Sequence, residues 1–134
     1  MVRFPSEEWV KEFHKLINES EAYAESAKNW EGDFLFVVTP DEGLDREWVV
    51  YVDLWHGKCR NARLLKSRDE KTTAFTMEGP YSNWKKLIQG KIGPIKGILT
   101  GKFKLKGSKM KILKNRKAAG ELVATAAKVP TEFV

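Results

Sequence analysis

The chain has 134 residues, 42% hydrophobic, 11% aromatic and 31% charged, enough apolar mass to fold without disulfides or metal and well away from the composition of disorder. Its longest apolar runs, Phe34–Val38 and Trp48–Val52, are five residues each, against roughly eighteen to twenty for a bilayer-crossing helix. The net charge of +6 is unevenly placed: residues 79–120 hold eleven Lys and one Arg without any Asp or Glu, whereas residues 1–78 hold eleven basic and sixteen acidic residues.

In chain order, Ser6 with Glu7 and Glu8 is a helix start, because the serine caps free N–H groups and the acids sit at the positive end of the helix dipole. Trp9, Val10, Phe13, Leu16 and Ile17 then share one stripe. Ser20 predicts a second, shorter helix through Tyr23 and Ala27 that ends by Trp30–Gly32. Phe34–Thr39, closed by Pro40–Gly43, reads as a strand, and Arg46–Trp55 as another. In the second, Trp48, Val50, Val52 and Leu54 lie on one face, with Val49, Tyr51, Asp53 and Trp55 on the other. His56–Lys58 connects to a third strand near Cys59–Leu65, giving an antiparallel meander, and after a charged turn at Ser67–Lys71 a fourth strand spans Thr72–Glu78, stopped by Gly79–Pro80.

A helix is predicted from Pro80 to Gln89, with Tyr81, Trp84, Leu87 and Ile88 on one face, and a shorter one from Gly93–Pro94 to Gly101. Phe103 and Leu105 alternate with Lys102, Lys104 and Lys106 as in a half-buried strand, and Ser108 caps a last helix running to about Ala127. These elements make one core, so a single domain over residues 1–134 is expected. The N-terminus lacks a basic segment followed by an apolar one, so no secretory signal is expected. The lone Cys59 cannot form an internal disulfide and fits a reducing, cytoplasmic setting.

Chemistry-bearing residues are sparse. Two histidines and one cysteine fall short of the four ligands of a structural zinc site, and no nucleophile elbow, P-loop or dinucleotide-binding glycine turn is present. Asp53 and Glu78 are the available carboxylate pair, with solvated strand positions as the simpler account. For nucleic acid, one Arg among twelve basic residues is a low share for base and phosphate recognition, and the aromatics fall on helix stripes and inward strand positions instead of an exposed stacking face.

At Gly101-Lys102-Phe103-Lys104-Leu105-Lys106-Gly107, followed by Ser108 and Met110, the chain resembles the sterol carrier protein 2 family. The upstream order supports it: the Trp9 helix, the short helix ending at Trp30-Glu31-Gly32, the strands, and Gly79-Pro80-Tyr81 with Trp84 before a Gly-broken helical pair. The resemblance implies an α+β fold, a single five-stranded, largely antiparallel sheet covered by about five helices, with an apolar tunnel between them. It implies a lipid-binding or lipid-transfer protein without catalytic residues, metal or cofactor, whose ligand is a fatty acid, fatty acyl-CoA or sterol-like or isoprenoid molecule.

Carried onto this sequence, the ligand-lining residues are Phe75, Met77, Trp84, Ile88, Phe103, Leu105, Met110 and Leu113. Lys102, Lys104 and Lys109 face the head group or an anionic membrane surface. The chain departs from the pattern by running twenty-seven residues past Gly107, and the alanine-rich part of that tail is placed to fill or lid the tunnel. The alternatives are a nucleic-acid-binding module using the lysine-rich stretch 79–120, against which the arginine share speaks, and an accessory subunit of an acyl-CoA or thiolase-type complex. Oligomeric state is not legible.

Overall fold

A computed structural model describes residues 1–134. After a three-residue strand, β1 (Val2–Phe4), Ser6 accepts a 3.0 Å hydrogen bond from the backbone N–H of Trp9 and starts α1 (Glu7–Glu19). The predicted stripe is buried at Trp9, Val10, Phe13 and Ile17. Ser20 ends α1 and caps α2 (Glu21–Ser26) by accepting from the N–H of Tyr23 at 3.1 Å.

Strands β2 (Glu31–Thr39), β3 (Trp48–Trp55) and β4 (Lys58–Leu65) form the expected antiparallel meander. The fourth predicted strand, β5 (Phe75–Pro80), does not extend that meander. It lies parallel to β2, and the sheet order is β4-β3-β2-β5-β6. Residues 66–74 therefore cross the sheet, and side-chain chemistry shows why the crossing is stable. Arg68 donates to Glu47 Oε1 at 2.6 Å and Glu78 Oε1 at 2.8 Å, tying the crossing to a residue just before β3 and to one on β5. The guanidinium holds the Glu78 carboxyl below its ordinary value. Lys71 lies 4.7 Å from the centre of the Tyr51 ring.

β5 ends at Pro80, which pairs as the last strand residue opposite Thr39 and serves as the N-cap of α3 (Tyr81–Ile88). Helix α4 (Pro94–Leu99) has proline at its first turn, as expected, and β6 (Lys104–Lys106) is an edge strand beside β5. The predicted last helix is broken into α5 (Lys109–Lys114) and α6 (Arg116–Ala127). Asn115 leaves helical geometry at φ −117°, ψ 33°, and its side chain donates to the Lys111 carbonyl at 2.8 Å, which ends α5 from within. A further strand absent from the expectation, β7 (Thr131–Phe133), pairs in parallel with β1 and brings the two chain termini together.

The alternation read from β3 divides the core. Phe34, Val38, Val50, Val52, Leu54, Phe75 and Met77 face the helices and join one large cluster with α1, α2, α3, α5 and α6. Leu35, Val37, Val49, Tyr51 and Leu65 form a separate small cluster on the opposite face, under the crossing segment. The result is α+β: a five-stranded, mostly antiparallel sheet with its α-helices on one side and the crossing segment, with a 3-10 turn at Arg68–Glu70, on the other.

Candidate functional site: an apolar cavity between sheet and helices

Between the sheet and the helices lies a cavity of ≈ 100 Å³. Its floor is Phe34, Phe36 and Val38 of β2, Val50 and Leu54 of β3 and Met77 of β5. Leu54 and Val50 are four residues apart, so the floor runs about 13 Å along the strands. Walls come from Trp9 and Phe13 of α1, Tyr23 of α2, Trp84, Leu87 and Ile88 of α3, and Ile98 of α4. Ile112 of α5 and Ala118, Ala119, Leu122, Val123 and Ala126 of α6 close it from above.

The chemistry of the lining is uniform. No Lys, Arg, His, Asp or Glu is among its 23 residues. The indoles turn their polar edges away: Trp9 Nε1 donates to Thr131 Oγ1 at 2.9 Å, Trp30 Nε1 to the Gly32 carbonyl at 2.9 Å, and Trp84 Nε1 to the carbonyls of Val37 and Gly79 at 3.0 and 3.1 Å. Each ring offers the cavity its apolar face while its N–H stays satisfied. Trp30, Phe34, Phe36 and Trp84 run as a chain of rings along the floor, with successive centroids 5.9, 5.1 and 5.5 Å apart. Such a surface offers dispersion and hydrophobic contact to a ligand, and Tyr23 is its one ionisable residue.

Of the residues expected to line a ligand site, Met77, Trp84 and Ile88 are brought together around the cavity. Phe75 stands one layer behind, stacked on Phe34 at 5.0 Å and tilted against Trp30 at 5.4 Å. Phe103 is also outside the lining: its ring meets Trp84 edge-on at 4.9 Å and is wedged between Gly79 and Gly97. A Cβ at those glycines would lie 2.6 and 2.9 Å from the ring, so the glycines make room for it and the ring locks α4 against β5. Leu105 and Leu113 are half-buried and meet Ile95, Ile98, Leu99 and Ile112 in a separate hollow of ≈ 10 Å³. Met110 is 60% exposed and lines neither. Lys102, Lys104 and Lys109 are exposed, and Lys109 borders the small hollow.

The other sequence candidates separate as well. Asp53 is held by Arg60 at 3.1 Å and Glu78 by Arg68, both on the face away from the cavity. His56 turns outward to Glu31 at 2.6 Å, while Cys59 is buried with its thiol donating to the Asn61 carbonyl at 3.3 Å. Burial pushes that thiol up to about 12.

What the sequence left unassigned is the N-terminal and C-terminal share of the lining. Trp9, Phe13, Phe34, Leu54, Leu122 and Val123 were readable as inward-facing from their periodicity, but periodicity does not distinguish a packed wall from one facing a void. Ala118, Ala119 and Ala126 supplied the better signal, since three small side chains on one helix face leave space opposite large ones.

A family model described as the SCP-2 sterol transfer family matches residues 11–120. A crystal structure of sterol carrier protein 2 is 33% identical over 92% of this chain and 97% of that one, with a TM-score of 0.84. A conserved hypothetical protein from Thermus thermophilus is 32% identical over 95% of this chain and 90% of its own, with a TM-score of 0.85. Apo sterol carrier protein 2 from Yarrowia lipolytica, at 16% identity and a TM-score of 0.60 over 89% of each chain, shares the fold. A sequence search of curated proteins finds no match. The first two structures match 92% and 95% of this chain, so most of the twenty-seven residues beyond Gly107 have counterparts in them, while the family model ends at residue 120. Match length, identity and architecture agree, and the chain belongs to the SCP-2 sterol transfer family.

Proposed function

We propose that this protein is a non-catalytic lipid carrier that holds the apolar part of a fatty acid, fatty acyl-CoA or sterol-like or isoprenoid molecule in the cavity between sheet and helices. The observation that carries this is the void itself. Interiors are normally packed to crystal density, and at ~24 cal/mol per Å³ an empty cavity of ≈ 100 Å³ forfeits about 2 kcal/mol of stability. A lining free of ionisable groups other than one tyrosine supports binding and carriage over chemistry.

The cavity is smaller than the ~150 Å³ engineered void that takes up benzene, so a long ligand requires its walls to part. The six-residue helices α4 and α5 are the natural moving parts. Ile98 and Ile112 line both the cavity and the small surface hollow, so these two side chains are the partition whose displacement would join them. Beside that hollow Leu99 is 64% exposed and Met110 60% exposed, with Lys96, Lys102, Lys104 and Lys109 close by in the chain. Exposed apolar side chains among lysines suit an anionic bilayer, where each nearby lysine contributes about 1 kcal/mol, and exchange of ligand is assigned to this face. No helix is long and apolar enough to cross a membrane. The single buried Cys59 supports the cytoplasm as the place of action.

Titration with a fluorescent fatty acid tests the carrier function. Ala118→Phe, which places a ring into the cavity, is expected to abolish binding while the protein stays folded, and unchanged affinity would overturn the assignment. For exchange, Leu99→Glu with Met110→Glu is expected to slow ligand transfer to phosphatidylserine vesicles several-fold at unchanged affinity. Tight, steeply salt-dependent binding to DNA or RNA without lipid binding would instead favour the nucleic-acid module.

A further inference from the structure

Three tyrosines are buried in this protein, and two have their hydroxyls engaged: Tyr51 donates to Asp33 Oδ2 at 3.0 Å and Tyr81 to the Val134 carbonyl at 3.2 Å. Tyr23 differs. It is 2% exposed and lines the cavity near Leu54, yet every hydrogen bond it makes runs through its backbone: its N–H to Ser20 Oγ, and its carbonyl accepting from Ser26 Oγ and the Ala27 N–H. The neighbouring Cys59 thiol is already committed to the Asn61 carbonyl. The Tyr23 hydroxyl has no partner among the protein's own groups and is not sealed off, since the one wholly buried side-chain polar atom left without a partner is Trp48 Nε1; on a cavity-lining residue it is open to a partner that the cavity holds. Burial, reinforced by Cys59, raises the hydroxyl well above its ordinary value, so it stays a neutral O–H with one proton to donate and lone pairs to accept.

We propose that the Tyr23 hydroxyl is the hydrogen-bonding site for a neutral oxygen, hydroxyl or carbonyl, at the buried end of the ligand, and that the cavity thereby favours a long-chain alcohol or ketone over a carboxylate at that end. The selectivity follows from the lining, which supplies no cation to pair with an ionised head group; an unpaired charge there would carry its full desolvation cost. A carboxylate ligand must keep its head outside, and its methyl end would then meet Tyr23 and leave the hydroxyl unserved. This proposal rests on the lipid-carrier function and adds the orientation and head-group class of the ligand.

The test is displacement of the neutral probe N-phenyl-1-naphthylamine by 1-decanol and by decanoate at pH 8, for the wild-type protein and Tyr23→Phe, which keeps the ring and the packing. Tyr23→Phe is expected to weaken decanol roughly five- to tenfold while leaving the probe and decanoate unchanged. In the wild-type protein decanol is expected to shift the Cζ resonance of Tyr23 and leave those of Tyr51 and Tyr81 in place. Equal decanol affinity in both proteins, or an equal loss for decanoate, overturns the head-group assignment while the carrier function stands. A wild-type protein that binds neither the probe nor either competitor overturns the carrier function and this assignment with it.

Discussion

The two faces of the sheet are both apolar and end in opposite states. On the face away from the helices, Val37 and Val49 pair across β2 and β3, Val37 is 0% exposed, and a crossing chain pinned by Arg68 seals the layer. On the helical face, larger rings from Trp30, Phe34, Phe36 and Trp84 stand opposite alanines of α6, and a cavity remains. The same strands close one layer without an α-helix, so the void is not a failure of the sheet to pack. It comes from pairing large floor residues with small roof residues, and from tryptophans whose N–H groups are tied back to the backbone so that they cannot collapse inward.

Matched substitutions sharpen this contrast most. Val37→Phe forces a ring into the sealed face and is expected to lower stability by about 1–3 kcal/mol. Ala118→Phe adds a ring where space exists and is expected to change stability by less than about 1 kcal/mol, since the cavity it fills was itself a cost. Urea unfolding of both variants measures the difference, and equal losses would mean that the two faces are equally tight.

Removing the clamp comes next. Arg68→Ala leaves Glu47 and Glu78 without their shared partner on a half-exposed surface and is expected to cost about 1 kcal/mol. Ligand binding should be untouched, because the clamp lies across the sheet from the cavity.

The pH dependence should show the same separation. Glu78 is depressed below its ordinary 4.5 in the folded protein, so its contribution is present above that value and is lost as pH falls through the folded value. Arg68→Ala should flatten that acid limb. Cys59 is raised from 9.0 to about 12, so its contribution is present below pH 9 and is lost as pH rises toward 12. Denaturant midpoints recorded from pH 3 to 11 would check both limbs. The smallest effect concerns reactivity: at pH 8 the Cys59 thiol should be alkylated only at the rate at which the protein opens, and urea should accelerate the labelling.

How much of this was legible in the sequence depends on the range of the interaction. Ser6 and Ser20 capping their helices, Pro94 opening α4 and the two faces of β3 are decided by neighbours a few residues away, and the sequence read them correctly. The parallel placement of β5 was hidden, because its partner is chosen by the Arg68 crossing, whose ion pairs span 10 and 21 residues, and by rings such as Phe75 stacking on Phe34, far away in the chain. The β1–β7 pair joins the two ends of the chain, and three-residue strands carry no pattern of their own. The break at Asn115 was missed because Lys111 and Arg116 are good helix formers on either side. At the site, the Gly101–Gly107 motif identified the family, yet its Phe103 is a wedge between glycines. The cavity is a mismatch of size between facing surfaces, which no single stretch of sequence contains.

The proposed carrier function requires the cavity, and not the lysine-bordered surface above it, to hold the apolar part of a ligand. Intermolecular nuclear Overhauser contacts between carbon-13-labelled decanol and the protein's methyl groups test it directly. Contacts to Val38, Val50, Leu54, Leu122 and Val123, which line the cavity, are the expected result. Contacts confined to Leu99 and Met110, or none at all, would contradict it.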